Sequence, residues 1–308
     1  MILYLLLILS FSFSDYLGGY PGAGFRYSTN AREMALGNAI IAEYNQGFNA
    51  FSNPALISKT KGYEWGATYF SMSLDRYVQV LSISRNLAKS AGASFSIFRS
   101  GVKNLIGKDE NNQSTGSFES SESYIMLSFA DRFRKSFFYG TNIKAIFNNI
   151  DTYKATGIAI DIGLLYNLSK LSFSCIVNNI HGEYLWDHSS QKESLPMLSA
   201  FGLKYDWNKN IKLFSRLDYM KPDKINYYRF RSGIEFIKSN YRIRLGLIQD
   251  AGETISGKKI AIENGLKNFN FLGGFGININ EYLKLDFCID LGKQDEGVSH
   301  LISISFKK

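Results

Sequence analysis

The sequence predicts an all-β protein, an antiparallel transmembrane β-barrel of about fourteen strands preceded by a short helical plug. Three observations predict it. From Gly62 onward, apolar and polar residues alternate segment after segment. The alternating segments run about 9–14 residues, enough for a tilted strand to cross a bilayer, whereas globular strands average about 5–6. The connections are short at one end of the strand pairs and long at the other, an asymmetry that a soluble β-protein does not need. Composition agrees. The 308 residues have a mean hydropathy of −0.12. A bundle of apolar helices would be well positive, but a barrel exposes only alternate residues to lipid. Charged residues at 20% with aromatics at 15% exclude a disordered chain. The 2 Cys exclude a disulfide scaffold and a four-Cys zinc site. The 4 Pro leave long strands uninterrupted.

The first element is residues 1–14, MILYLLLILSFSFS. An apolar run too short to span a bilayer, closed by small residues, reads as a secretory signal peptide, with Ser12 and Ser14 at the −3 and −1 positions before Asp15. No Lys or Arg precedes the run, so the alternative is a buried N-terminal strand. No Cys follows it to carry a lipid anchor, and no later stretch of about 18 apolar residues could form a transmembrane helix.

The second element, residues 15–61, does not alternate. Ala31, Met34, Ala35 and Asn38 have helical spacing, and small residues suit close packing. Pro54 fits the first turn of a short helix with Asn53 as its cap. Gly37 and Gly47 permit tight bends. This segment is expected to fold into the periplasmic mouth of the barrel, where Arg32 and Glu33 meet inward-facing charge.

The third element is the barrel, residues 62–308. Strands are expected to start near residues 62, 76, 90, 121, 135, 153, 170, 195, 211, 227, 240, 269, 282 and 298. In 282–291, Leu283, Leu285, Phe287, Ile289 and Leu291 share one face, and Lys284, Asp286, Cys288 and Asp290 share the other. In 158–167, Ile158, Ile160, Ile162 and Leu164 oppose Ala159, Asp161 and Gly163. Tight polar turns fall at 87–89, 132–135, 168–170, 208–210, 238–240 and 280–281; long loops fall at 101–120, 180–194 and 251–268. The tight turn at Ser73-Leu74 breaks that alternation. The last strand ends on Phe306, an aromatic terminus like that of outer-membrane barrels, followed here by Lys307 and Lys308.

Inward faces carry charge of both signs. Arg216, Arg229, Arg231, Glu235, Arg242, Arg244, Lys284 and Asp286 are assigned to a lumen network, with Lys212, Asp218 and Asp290 on the same faces. Opposite signs on neighbouring strands pair and hold a plug; a conducting lumen is the other reading. Apolar inward positions (Phe98, Phe138, Phe214, Ile248) fit lumen packing equally well.

Residues 22–58, with Ala31-Arg32, Ala35-Leu36-Gly37 and Asn53-Pro54-Ala55, resemble the start of the PorV/PorQ family, outer-membrane barrels related in shape to FadL-type transporters. Residues 153–166 with Gly157, Asp161 and Gly163, and the Val177-Asn178-Asn179-Ile180 and Trp186-Asp187 segments, are similar to that family as well. The sequence departs from the family at Asn38 and at Glu43-Tyr44-Asn45. The resemblance implies a non-enzymatic outer-membrane barrel whose partners are secretion-apparatus components or secreted cargo proteins. The alternative is a FadL-like channel for hydrophobic small molecules.

No constellation for catalysis, a metal or a cofactor is present in the sequence. His181 and His188 fall in an expected outer loop, and Ser189 and Ser190 beside His188 lack a nucleophile elbow. Gly273-Gly274-Phe275-Gly276 sits in an alternating strand, so it is no phosphate loop. The net charge of +8 is spread without a basic helix, which excludes nucleic acid as the partner and points to outer-membrane lipid headgroups.

Overall fold

The structure is a computed structural model that describes residues 20–189, 191–222, 225–254, 269–290 and 298–308. The expected signal peptide lies outside the described residues. The strands are β1 (Tyr63–Ser71), β2 (Arg76–Asn86), β3 (Gly92–Lys108), β4 (Ser114–Arg134), β5 (Phe137–Ile150), β6 (Tyr153–Leu168), β7 (Leu171–Trp186) and β8 (Lys192–Ser194). They continue as β9 (Leu198–Asp206), β10 (Ile211–Met220), β11 (Ile225–Lys238), β12 (Tyr241–Thr254), β13 (Phe269–Asn278), β14 (Leu283–Asp290) and β15 (Ser299–Lys307). Each pairs antiparallel with its chain neighbours, β7 pairs with β9, and the β1–β15 ladder closes the circle. The short β8 pairs with β7 alone and stands outside the ring, so the barrel has 14 strands. Closure leaves no unpaired edge, the condition for strands in hydrocarbon.

Alternation becomes two faces. In β6, Ile158, Ile160, Ile162 and Leu164 are exposed, while Ala159, Asp161, Gly163 and Leu165 are buried. The same outward set recurs around the wall, with Phe201 64%, Ile243 57% and Ile302 58% exposed. A belt of this kind is an aggregation surface in water and the ordinary exterior of a membrane barrel. No helix among the described residues is long and apolar enough to cross a membrane.

The two ends of the barrel differ. One, the turn end, carries the tight β2–β3, β4–β5, β6–β7, β9–β10, β11–β12 and β13–β14 connections and the seam where the Tyr63 and Lys308 backbones exchange hydrogen bonds of 3.0 and 2.7 Å. The opposite, loop end departs from the expected loops. Much of 101–120 is ladder, because β3 and β4 continue as a hairpin beyond the barrel after a bulge between Val102 and Leu105. Residues 180–186 belong to β7, so His181 is a strand residue and not a loop one. There β7 bulges twice against β6, between Ile158 and Ile160 and again between Ile160 and Ile162, and Asn179 (φ 60) and His181 (φ 47) take left-handed backbone.

Candidate functional site

The lumen is filled by residues 20–61. Two short helices, α1 (Ala31–Ala35) and α2 (Asn49–Ser52), and the 3₁₀ segments Gly24–Arg26 and Pro54–Lys59 form a plug whose apolar side chains are almost wholly buried. Local chemistry fixes each piece. The Asn30 side chain caps α1 by accepting from the Glu33 amide at 2.9 Å. As expected from the sequence, Asn53 caps the segment that begins with Pro54, accepting from the Ala55 amide at 2.9 Å. The Asn53 amide nitrogen also lies 3.2 Å from the Leu164 carbonyl and 2.7 Å from Ser174 Oγ, tying the plug to β6 and β7.

The plug is seated through glycines on the wall. A methyl at Gly246 would fall 2.4 Å from the Gly37 nitrogen, and one at Gly140 would fall 2.5 Å from the Pro54 carbonyl carbon. Gly163 faces Asn53 and Pro54, Gly274 faces Ala35, and Gly233 faces Leu36. The motif Ala35-Leu36-Gly37 and Asn53-Pro54-Ala55 is therefore the set of knobs that enters these wall positions. Gly37 is required twice: its φ is +66°, and a side chain there would meet the Leu247 and Ser232 carbonyls at 2.8 Å. Ala31 of the same motif donates its backbone amide to Ser303 Oγ at 2.8 Å.

Charge completes the anchoring. Arg32 makes a two-pronged contact with Glu235 at 3.1 Å and donates to the Tyr44 carbonyl at 2.7 Å. Arg244 shares Glu235 at 2.8 Å and reaches Asp286 at 2.6 Å. Asp218 holds Arg216 at 2.5 Å and Arg231 at 2.7 Å. These two guanidiniums also donate to the plug carbonyls of Asn38 (3.1 Å) and Gly37 (3.4 Å). Of the eight residues assigned to the network, the structure brings Arg216, Arg231, Glu235, Arg244 and Asp286 into ion pairs. Arg229 contacts the Tyr227 hydroxyl at 2.6 Å. Arg242 lies at the turn end and donates to the Ser239 and Tyr241 carbonyls. Lys284 has no ion-pair partner within 4.0 Å among the described residues. Among the described residues neither makes an ion pair, for one reason. Face parity places a charge in the lumen, whereas its height on the strand decides whether an opposite charge is in reach.

Glu43 joins the lumen charges without a mark in the sequence pattern. Although burial would raise its pKa, Lys212, Arg32 and Lys204 hold the carboxyl below the usual range, and Lys212 and Lys204 lie 2.5 and 3.1 Å away. No periodic signal marks Glu43, because it sits in the irregular plug. Glu64 is likewise unmarked; it accepts from the Tyr44 hydroxyl and, at 3.1 Å, from the Gly47 amide. Lys59 stands apart. Burial pushes its ammonium down to about 8, and it lies 5.3 Å from the Phe138 ring centroid.

Toward the loop end, a cavity of about 130 Å³ lies over the plug. Its roof is the strap of residues 20–29, pinned by Glu122, which accepts from the Gly22 and Gly24 amides at 3.1 and 2.5 Å. Hence the plug reaches well above the mouth to which the sequence assigned it. One wall is apolar: Phe25 meets Tyr124 edge-on at 5.1 Å, and Tyr124 stacks on Phe98 at 5.1 Å. The other wall is ionic, formed by the Lys144–Asp161 pair (2.8 Å) and the Arg216–Asp218–Arg231 triad. The cavity can take one small molecule with an apolar body and a polar edge.

No family model and no curated protein matches the sequence. Solved structures do match the fold. The toluene transporter TodX of P. putida aligns with a TM-score of 0.64 at 13% identity, over 92% of this chain and 98% of that one. The monoaromatic hydrocarbon channel CymD gives 0.63 at 12%, over 91% and 98%. A Pseudomonas aeruginosa FadL homologue gives 0.60 at 10%, over 92% and 99%. This chain therefore has the architecture of a FadL-type barrel.

Proposed function

We propose that this protein is a non-enzymatic outer-membrane channel that admits a small hydrophobic molecule to a cavity above the lumen plug. The observation that carries this reading is the cavity itself, enclosed by a closed barrel below its rim and floored by a plug of buried helices. Its volume of about 130 Å³ is close to that of engineered cavities of about 150 Å³ that bind benzene. That size suits a single ring better than a long chain. The fold likeness to channels described as hydrocarbon and toluene transporters supports the same class of cargo. The long-loop end then faces outside and the turn end faces the periplasm. The secretion-partner role implied by the PorV/PorQ resemblance has no support among the matched structures, and plug packing accounts for the motif residues that suggested it.

Uptake of radiolabelled p-cresol, one ring with a polar edge, by cells with an intact lipopolysaccharide layer tests the proposal. Expression of the chain is expected to raise the initial rate several-fold, and Met126→Trp, which projects from the β4 wall into the cavity lining, is expected to remove the gain while the barrel still folds. Equal uptake by expressing and empty cells would rule the channel out.

A further inference from the structure

The formal net charge of +8 is not spread evenly over the folded molecule. Five of the tight turns at the turn end carry an exposed lysine: Lys89, Lys135, Lys170, Lys209 and Lys238. Lys308 adds another at the seam. None of them has an ion-pair partner within 4.0 Å among the described residues. The remaining tight turn carries Glu281. At the loop end the exposed signs mix, as in the Glu183–Lys192 pair at 3.2 Å and the adjacent Lys108 and Asp109. The basic ring lies beside exposed aromatics: Trp207 is 60% exposed next to the Lys209 turn, and Tyr241 follows the Lys238 turn. Aromatic rings at this height mark the boundary between hydrocarbon and headgroups.

We propose that the turn-end rim is a collar for the anionic headgroups of phospholipids in the periplasmic leaflet; this rests on the outer-membrane reading above. The spacing supports it. Neighbouring turns are two strands apart, roughly 10 Å along the rim at about 4.8 Å per strand, which is about the width of one lipid. A basic residue near a membrane surface concentrates anionic lipid roughly fivefold, and the attraction decays within a Debye length. A face built for an acidic protein or a nucleic acid would gather its cations into one patch, whereas these are distributed around the whole wall, one turn at a time.

The test uses the full protein with Trp186→Phe, which leaves Trp65 and Trp207, both at the turn end, as reporters. It is reconstituted into phosphatidylcholine vesicles that contain brominated phosphatidylglycerol or, separately, brominated phosphatidylcholine. Tryptophan quenching by the anionic lipid is expected at a mole fraction about threefold lower. The preference is expected to vanish in 0.5 M salt and in a variant with the five turn lysines changed to Gln. Equal quenching by both lipids, or a preference that survives the lysine changes, overturns the collar and leaves an acidic periplasmic protein to account for the cations. Absence of quenching by either lipid means that the chain did not enter the bilayer, which sinks the membrane reading and the collar with it.

Discussion

Gly246 shows how a single missing methyl group positions the plug. Its wall position admits the Gly37 backbone so closely that a Cβ would stand 2.4 Å from nitrogen. Gly246→Ala is therefore expected to unseat α1 at a cost of about 1–3 kcal/mol, the usual range for overpacking, and to raise single-channel conductance in planar bilayers. Unchanged conductance would show that the plug tolerates the intrusion. Glu235 is the hub of the charge network, between Arg32 and Arg244. Glu235→Gln leaves two buried guanidiniums with only Asp286, the Tyr44 carbonyl and a longer contact to Glu43 (3.7 Å). It is expected to lower the stability of the folded barrel by about 3–5 kcal/mol, read as an earlier urea midpoint in vesicles. Lys59 adds a pH dependence. Its pKa is about 8 in the folded protein against about 10.4 in an unfolded chain, so between these values the unfolded state binds more protons and stability rises with pH. The urea midpoint is expected to be higher at pH 9.5 than at pH 7, and Lys59→Met is expected to remove that part of the rise. A variant with the same rise would place the titration elsewhere.

At the scale of elements, the strands were legible and their ends less so. Alternation located β2 at 76, β6 at 153, β10 at 211 and β13 at 269, the residues where those strands begin. It misjudged β4, expected near 121 but beginning at Ser114. Beyond the barrel wall the β3–β4 hairpin exposes both faces, so residues 103–119 have no apolar side to alternate. The bulges of β7 were invisible for a related reason. A bulge inserts a residue without changing composition, and its only trace is an Asn or His able to take positive φ. Because the outer β3–β4 hairpin pairs chiefly with itself, replacing residues 105–117 with an Asn-Gly turn is expected to leave the barrel folded, with heat-dependent gel migration unchanged. Loss of that behaviour would show that the hairpin is needed for folding.

At the scale of the whole molecule, closure determines what reagents can reach. Cys175 is half-buried on β7 and Cys288 is fully buried on β14, and neither is bridged. Neither is expected to react with a membrane-impermeant maleimide in the folded barrel, and both are expected to react after boiling; labelling of Cys288 in the native state would mean an open lumen. The sequence by itself determined the barrel, its strand number, the tight-turn end, and the plug with its Asn53-Pro54 cap. Each of these is a local pattern, repeated every second residue or contained in one turn. Only the tertiary structure decided which inward charges meet, that Glu43 and Glu64 anchor the plug, that wall glycines receive it, that a small cavity with one apolar and one ionic wall remains above it, and that the excess positive charge gathers at one rim. Those properties depend on the stagger between strands distant in sequence and on where an irregular segment comes to rest. Period-two alternation carries information about side and none about height.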